Sequence, residues 1–328
     1  MLPPMAIFFP LFTIMEDLGY LPRVAFNLDK FFRRAGAHGK QSLTMSMGFG
    51  CNAAGVISCR IIESPRERLI AVLTNSFIPC NGRFPTLIIL STLFMGGTVA
   101  ASFRSAAASL VVVGLVLTGI TVTLLVSRLL TKTLLRGEPS FFILELPPYR
   151  KPQVGRIIIR SVLDRTLFVL GRAVVVAVPA GALTWILANT FINDLSLLSH
   201  AAGFLDSFGR LLGMDGFILM AFILGLPANE IVLPILLMSY VSAGTMVEPE
   251  SLAALHNILV VQNGWTWLTA LSVMLFSLLH YPCGTTLLTI FKETRSLKWT
   301  LIALLMPLSV ALLVTFTLTQ AARLLGLA

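Results

Sequence analysis

Charge is scarce in this chain of 328 residues. Only 12% are Asp, Glu, Lys or Arg, against roughly 25% in a soluble domain, while 56% are hydrophobic and the mean hydropathy is +0.88. That shortage excludes a soluble globular protein and leaves a polytopic membrane protein. Acids are scarcer than bases, 15 against 24, for a net charge of +9. In a membrane protein such an excess sits in cytoplasmic loops and fixes orientation, so it implies no nucleic-acid partner. Cysteine is rare as well. Cys51, Cys59, Cys80 and Cys283 form no CxxC pair, which excludes a disulfide framework. No basic n-region or cleavage site accompanies the opening apolar run, so no secretory signal peptide is expected. The longest polar loop has about 35 residues, below the ~50 of a small soluble domain. A phosphate loop is missing too: Gly36-Ala37-His38-Gly39-Lys40-Gln41 lacks both the glycine spacing and the Ser or Thr after lysine.

What is there is apolar, in pieces. At ~20 residues per span the segments allow about six crossings plus shorter pieces. The opening run, Met1 to Met15, is too short to cross alone and begins abruptly, so an N-terminally truncated or split polypeptide is expected. Residues 43–59 are apolar but glycine-broken. Residues 69–95 form a span interrupted at Pro79 to Pro85, and 106–130 a clean one. A loop from Thr131 to Arg165 leads to a span at 166–192. Residues 216–240 are broken by Gly225-Leu226-Pro227-Ala228-Asn229 and by Pro234, residues 265–291 by Pro282, and 299–320 close the chain with a clean span.

Loop charges orient these pieces. From Arg128 to Arg165 there are eight Lys/Arg and three acids, which places that loop in the cytoplasm. Between Asn193 and Gly264 lie five loop acids and only Arg210, so both flanks of 216–240 are external. Glu16–Gln41 and Arg60–Arg68 are both internal. Segments 43–59 and 216–240 therefore enter and return as re-entrant hairpins. The fold expected is an all-α polytopic membrane protein with an inverted-topology repeat, each unit holding one hairpin and one proline-broken helix. Residues 1–130 form the first repeat, 131–165 a cytoplasmic connector and 166–328 the second.

Pro79-Cys80 and Pro282-Cys283 place a thiol at each broken span. Proline removes a helical hydrogen bond, and broken backbone at membrane depth survives where it is buried in protein or lines a cavity. Thiolates beside freed carbonyls suit a soft or borderline metal cation. Lone buried cysteines also serve as small core hydrophobes, so both readings stand for Cys80 and Cys283, with Cys51 at the first tip a third candidate and Cys59 structural. Asn52 and Asn229 at the hairpin tips offer a donor and an acceptor for ligation, or cap half-helices. Glu230 is the only one of the 15 acids within an apolar segment, where an acid costs ~2.5–3.5 kcal/mol and usually marks an ion pathway; the alternative is a structural pair with Arg83 or Arg172. His280 stands three residues before Cys283, as a shared ligand or as a hydrogen-bonded histidine beside Tyr281.

At these residues the chain resembles the membrane portion of the ferrous iron transport protein B family. The resemblance rests on EDLGYLPRVAFNLDKFF at 16–32, HGK at 38–40, GFGCN at 48–52, PRERL at 65–69 and SFIPCNGRFP at 76–85. It continues through GLPANEIVLP at 225–234, HYPCGTTLLTIFKET at 280–294 and LKWT at 297–300. It implies multi-pass transport of ferrous iron across the plasma or inner membrane through two Gate motifs, at 43–95 and 216–291. Cys51, Cys80 and Cys283 correspond to family cysteines assigned to the iron path. No permanently bound cofactor is implied; Fe(II) is the substrate. The family's GTP-binding domain is missing, so no enzymatic activity is expected here, and a separate GTPase, small Feo accessory subunits and further copies of the chain are the implied partners. Two rival readings remain: a Gate-domain carrier of nucleosides or another small solute, and a non-transporting fragment or assembly subunit.

Overall fold

The computed structural model describes residues 7, 10–15, 18–94, 103–137, 155, 167–192, 195–241 and 251–326. Most of the opening run, most of the connector, three of the loop acids used for orientation (Asp194, Glu248 and Glu250) and the Arg172 side chain lie outside the described residues. Helices dominate, as the composition requires. Among the described residues the strands are a single antiparallel pair, β1 (Phe191–Ile192) and β2 (Leu195–Ser196). The chain forms two compact units. The first takes Met1–Gly82, Val116–Val174 and Thr285–Leu305, and the second takes Arg83–Leu115, Val175–Gly284 and Met306–Ala328. Each unit draws on both halves of the sequence.

In the first unit the amphipathic helix α1 (Tyr20–Arg34) precedes a helix pair, α2 (Gln41–Gly50) and α3 (Asn52–Ser58). Gly48 and Gly50 weaken the end of α2, and Cys51 is fully extended at φ −158, ψ 125, so the chain reverses there. The two arms pack against each other. Lys40, just before the pair, and Glu63, just after it, meet at 3.0 Å, so the two ends of the hairpin are adjacent. Helix α4 (Pro65–Thr74) starts on a capping signal, with Ser64 accepting from the Glu67 N–H and proline at the first position. It tightens into a 3-10 turn at Asn75–Phe77 and stops at extended Ile78, before Pro79.

In the second unit α5 (Phe84–Phe94) resumes beyond the Pro79 break and packs along α12 (Trp267–Leu279). The second hairpin joins α9 (Gly216–Leu224) through a break at 225–228 and a 3-10 turn at Asn229–Ile231 to α10 (Val232–Val241). Its ends are tied as well. Asp215 caps α9 by accepting from Ile218 N–H at 2.8 Å, its other oxygen accepts a short hydrogen bond from the Tyr240 hydroxyl, and Trp265 Nε1 donates to that hydroxyl oxygen at 2.9 Å. Helix α8 (Leu197–Leu211) meets α9 at 110°. After α10 come α11 (Leu252–His256) and a π turn at Asn257–Gln262, neither expected from the sequence. Helix α12 ends at extended His280, and α13 (Gly284–Thr294) resumes past Pro282-Cys283.

Long helices complete the chain: α6 (Arg104–Lys132), α7 (Leu167–Asn189) and α14 (Leu297–Leu324). Among the described residues three helices are long and apolar enough to cross a membrane, Ser105–Lys132, Trp267–Thr294 and Leu297–Leu324, or four if the bent Leu197–Leu224 pair counts as one. Of the six crossings allowed by hydropathy, the opening run lies mostly outside the described residues, and the span at 69–95 is broken at Pro79 into α4 and α5, each too short to cross alone.

Two features yield predictions. At the α8–α9 corner a Cβ on Gly216 would stand 1.9 Å from the Ala202 carbonyl oxygen, whereas one on Gly203 would meet nothing within 4 Å. Gly216→Ala is therefore expected to cost about 1–3 kcal/mol by overpacking, read as a lower melting temperature in detergent, while Gly203→Ala leaves it unchanged or higher. The second concerns His38, buried before α2, whose Nδ1 accepts from Lys40 N–H at 3.0 Å. Burial pushes its pKa below 6.5, outweighing the nearby Glu67 carboxylate. A histidine depressed in the fold contributes stability above its unfolded value and loses it as pH falls. Amide exchange at Lys40 is expected to quicken as pH falls below about 6.5, after correction for intrinsic rates.

Candidate functional site: two broken helices and the hairpins they meet

The first break sits against the first hairpin. Asn75, in the 3-10 turn, donates from Nδ2 to the Asn52 carbonyl at 3.0 Å. The Asn52 amide, oriented with its nitrogen inward, donates to the carbonyls of Gly48 and Ile78 at 3.2 Å each. The tip and the break are thus joined through two asparagines, both essentially buried. Cys51 lies in an apolar cluster with Phe12, Leu21, Met47 and Ala53. Cys80 is buried in the break itself. Cys59 is fully buried and donates from Sγ to the Gly55 carbonyl at 3.3 Å, as a structural thiol would. It borders a cavity of about 260 Å³ that also touches the Arg60–Glu293 ion pair at 2.7 Å.

The second break sits against the second hairpin in the same manner but with different chemistry. Gly284 N–H donates to the Leu226 carbonyl at the hairpin tip at 2.7 Å, and the Tyr281 hydroxyl donates to the Phe222 carbonyl at 2.7 Å. His280 is held by aromatic rings, stacked on Phe276 at 5.7 Å and edge-on to Phe222 and Tyr281. Its Nδ1 lies 3.0 Å from the Phe276 carbonyl and 2.9 Å from that of Ser277, which fixes the proton on Nδ1. Asn229 is buried at the tip, Glu230 beside it is half-buried, and Cys283 is half-buried.

Arg83 is the feature that motif reading undervalued. It is fully buried, the largest side chain so placed among the described residues. Its guanidinium donates to three backbone carbonyls, those of Leu278 at 2.8 Å, His280 at 2.9 Å and Tyr281 at 3.0 Å. These are carbonyls that the end of α12 leaves without helical partners, and a cation is favoured at that end of a helix. The freed carbonyls that the sequence suggests for a metal beside Cys283 are, at these three positions, ligands of an arginine. The sequence signal was a charged residue within an apolar run, weighed only as a partner for Glu230. Asn75 was missed for want of any motif.

Cys51, Asn52 and Cys80 belong to the first unit, and Asn229, Glu230, His280 and Cys283 to the second. Among the described residues no three His, Cys, Asp or Glu side chains gather closely enough to hold a metal ion.

Hairpins with tied ends, each docked on a helix broken at Pro-Cys, within an all-helical apolar chain, define a multi-pass membrane protein of the hairpin-and-broken-helix class. The profile of the Gate family, described as nucleoside recognition, matches residues 1–95 and 170–297, and that of the ferrous iron transport protein B C terminus matches 112–164. The chain belongs to the Gate family. It is 32% identical to the Fe(2+) transporter FeoB of Staphylococcus aureus (strain MSSA476) over 97% of its length and 46% of the relative. It is 27% identical to the Fe(2+) transporter FeoB of Methanocaldococcus jannaschii over 98% of its length and 47% of that protein. A Porphyromonas gingivalis Fe(2+) transport protein A/Fe(2+) transporter FeoB fusion protein is 26% identical over 96% of the chain and 42% of its own length. The chain thus spans about half the length of the curated relatives it matches. No solved structure matches it.

If Arg83 supports the second break, Arg83→Ala leaves three buried carbonyls unsatisfied at about 1–3 kcal/mol each. It is expected to lose folded protein from the membrane fraction, and Arg83→Lys, with a single ammonium in place of the fork, to give an intermediate melting temperature. An alanine variant as stable as wild type would remove this role.

Proposed function

We propose that this chain is the permease portion of a ferrous iron transporter in the plasma or inner membrane. The observation that carries this reading is similarity over nearly the whole chain to proteins named Fe(2+) transporter from Staphylococcus aureus and Methanocaldococcus jannaschii. The geometry supports it at the level of chemistry. Each break offers one thiol, and Fe(II) accepts a mixed set of thiolate, carboxylate and imidazole ligands. Cys80 and Cys283 serve as the thiol stations of the path, with Cys51, Asn52, Asn229, Glu230 and His280 along it. Thiols ligate as thiolates, so loading releases protons.

The two hairpins are read as entering from opposite faces, which makes residues 1–130 and 166–328 inverted repeats. The adjacency of each hairpin's ends supports entry and return on one side. Energy comes from a GTPase domain carried on another segment or polypeptide, and this chain itself is not an enzyme. The fused relative from Porphyromonas gingivalis supports a FeoA-type accessory subunit as a partner, and the permease assembles with further copies of itself.

Replacing both Pro-Cys thiols, Cys80→Ser with Cys283→Ser, is expected to abolish iron uptake while leaving the amount of protein in the membrane unchanged. Uptake is measured with ⁵⁵Fe(II) in cells or liposomes containing a GTPase partner. Normal uptake by the double variant would overturn the thiol path. The Gate family's description favours one other reading, a carrier of nucleosides; nucleosides competing with iron uptake, where manganese and cobalt do not, would establish it.

A further inference from the structure

The meeting of the first hairpin with the first break leaves one polar atom unaccounted for. Asn75 is 1% exposed, and while its Nδ2 donates to the Asn52 carbonyl, its Oδ1 has no hydrogen-bond partner among the described residues. That oxygen lies 3.0 Å from the point where a Cβ on Gly48 would stand, and the inward atom of the Asn52 amide lies 3.5 Å from the same point. That inward atom in turn lies 3.2 Å from each of two further oxygens, the carbonyls of Gly48 and Ile78. That amide has two orientations of equal shape. With nitrogen inward it donates to both carbonyls. With oxygen inward it adds a third oxygen to theirs, and three oxygens so close repel unless a cation lies among them.

We propose that this pocket is a site for a hard monovalent cation of the sodium class, held by Asn52 Oδ1, Asn75 Oδ1 and the carbonyls of Gly48 and Ile78. The Asn52 amide turns over as the ion enters and leaves. The donor set is all oxygen, which selects hard cations over the thiol-seeking metals. It carries no formal charge, and affinity for divalent oxygen-loving ions rises with the number of charged ligands, so a single charge suits it better. Oxygens 3.2 Å apart meet at near right angles on an ion with ligands at about 2.3–2.6 Å, the range for calcium-sized ions. Glycine at 48 keeps the space open, since a side chain there would fill it. When the ion is absent, Asn52 Nδ2 satisfies both carbonyls, so the site empties at no cost in orphaned backbone. The ion bridges the hairpin to Ile78, two residues before Cys80, and so fixes the segment that carries the thiol.

The test is made on the full chain in detergent by following the melting temperature at constant ionic strength, with sodium, potassium or choline chloride. Sodium is expected to raise it saturably, by several degrees at a concentration 100 times its dissociation constant, and choline to leave it unchanged. Asn52→Asp separates the two states of the amide. With oxygen inward on an ion, the carboxylate lowers the half-maximal sodium concentration tenfold or more. With nitrogen inward as a permanent clamp, it faces two carbonyls and lowers the melting temperature in every salt. The second outcome, or a wild-type melting temperature indifferent to sodium, overturns the proposal. A rise with Fe(II) and none with sodium also overturns it, in favour of a cargo site. Because the readout is ion binding, the result stands apart from the uptake measured with the thiol variants.

Discussion

The guanidinium of Arg83 on the carbonyls of Leu278, His280 and Tyr281 is the interaction on which the second unit depends. A helix that ends in a dry interior leaves carbonyl groups with no partner, and each such group is expensive when buried. Water is the usual remedy at a protein surface. Here a side chain from the opposite end of the sequence does the work, with a planar array of donors matched to several oxygens at once. The helix end in turn lowers the cost of burying the charge. The break at Pro282 is stable because these two liabilities cancel. The same region is then locked sideways, through Gly284 to Leu226 and Tyr281 to Phe222.

The first break solves the same problem without charge. Asparagine amides supply both donors and acceptors, so the carbonyls of Gly48, Asn52 and Ile78 are satisfied by neutral groups. The difference matters for what each break can bind. A carbonyl cluster filled by a tethered cation is closed to a mobile one, while a cluster lined by reorienting amides is not. The two Pro-Cys elements look alike in sequence and differ in the electrostatics around them.

Much of the fold was legible beforehand. Proline and glycine marked each break, and loop charge suggested that each hairpin returns to the side it enters from, a reading with which the adjacency of Lys40 to Glu63 and of Asp215 to Tyr240 agrees without fixing the side. Those signals are local or additive, and a single sequence carries them. The packing of the site was not legible in the same way. Arg83 and Leu278 are 195 positions apart, and nothing in spacing or composition pairs them. Asn75 stands in no motif, and its role exists only because Gly48 and Gly55 leave room for its amide. The short helix at 252–256 and its π turn escaped notice because their apolar pattern is too brief to show a period.

The make-up of the two compact units has a consequence for biosynthesis. The first unit includes Thr285–Leu305, and the second begins at Arg83. A ribosome delivers the chain from the N-terminus, at about 5–20 residues per second. Neither unit is complete until nearly the entire polypeptide has been made, so the half-built hairpins must wait in the membrane with their breaks only partly satisfied. Arg83 in particular emerges long before the carbonyls that receive it. The insertion machinery, rather than the chain alone, has to shelter that charge in the interval.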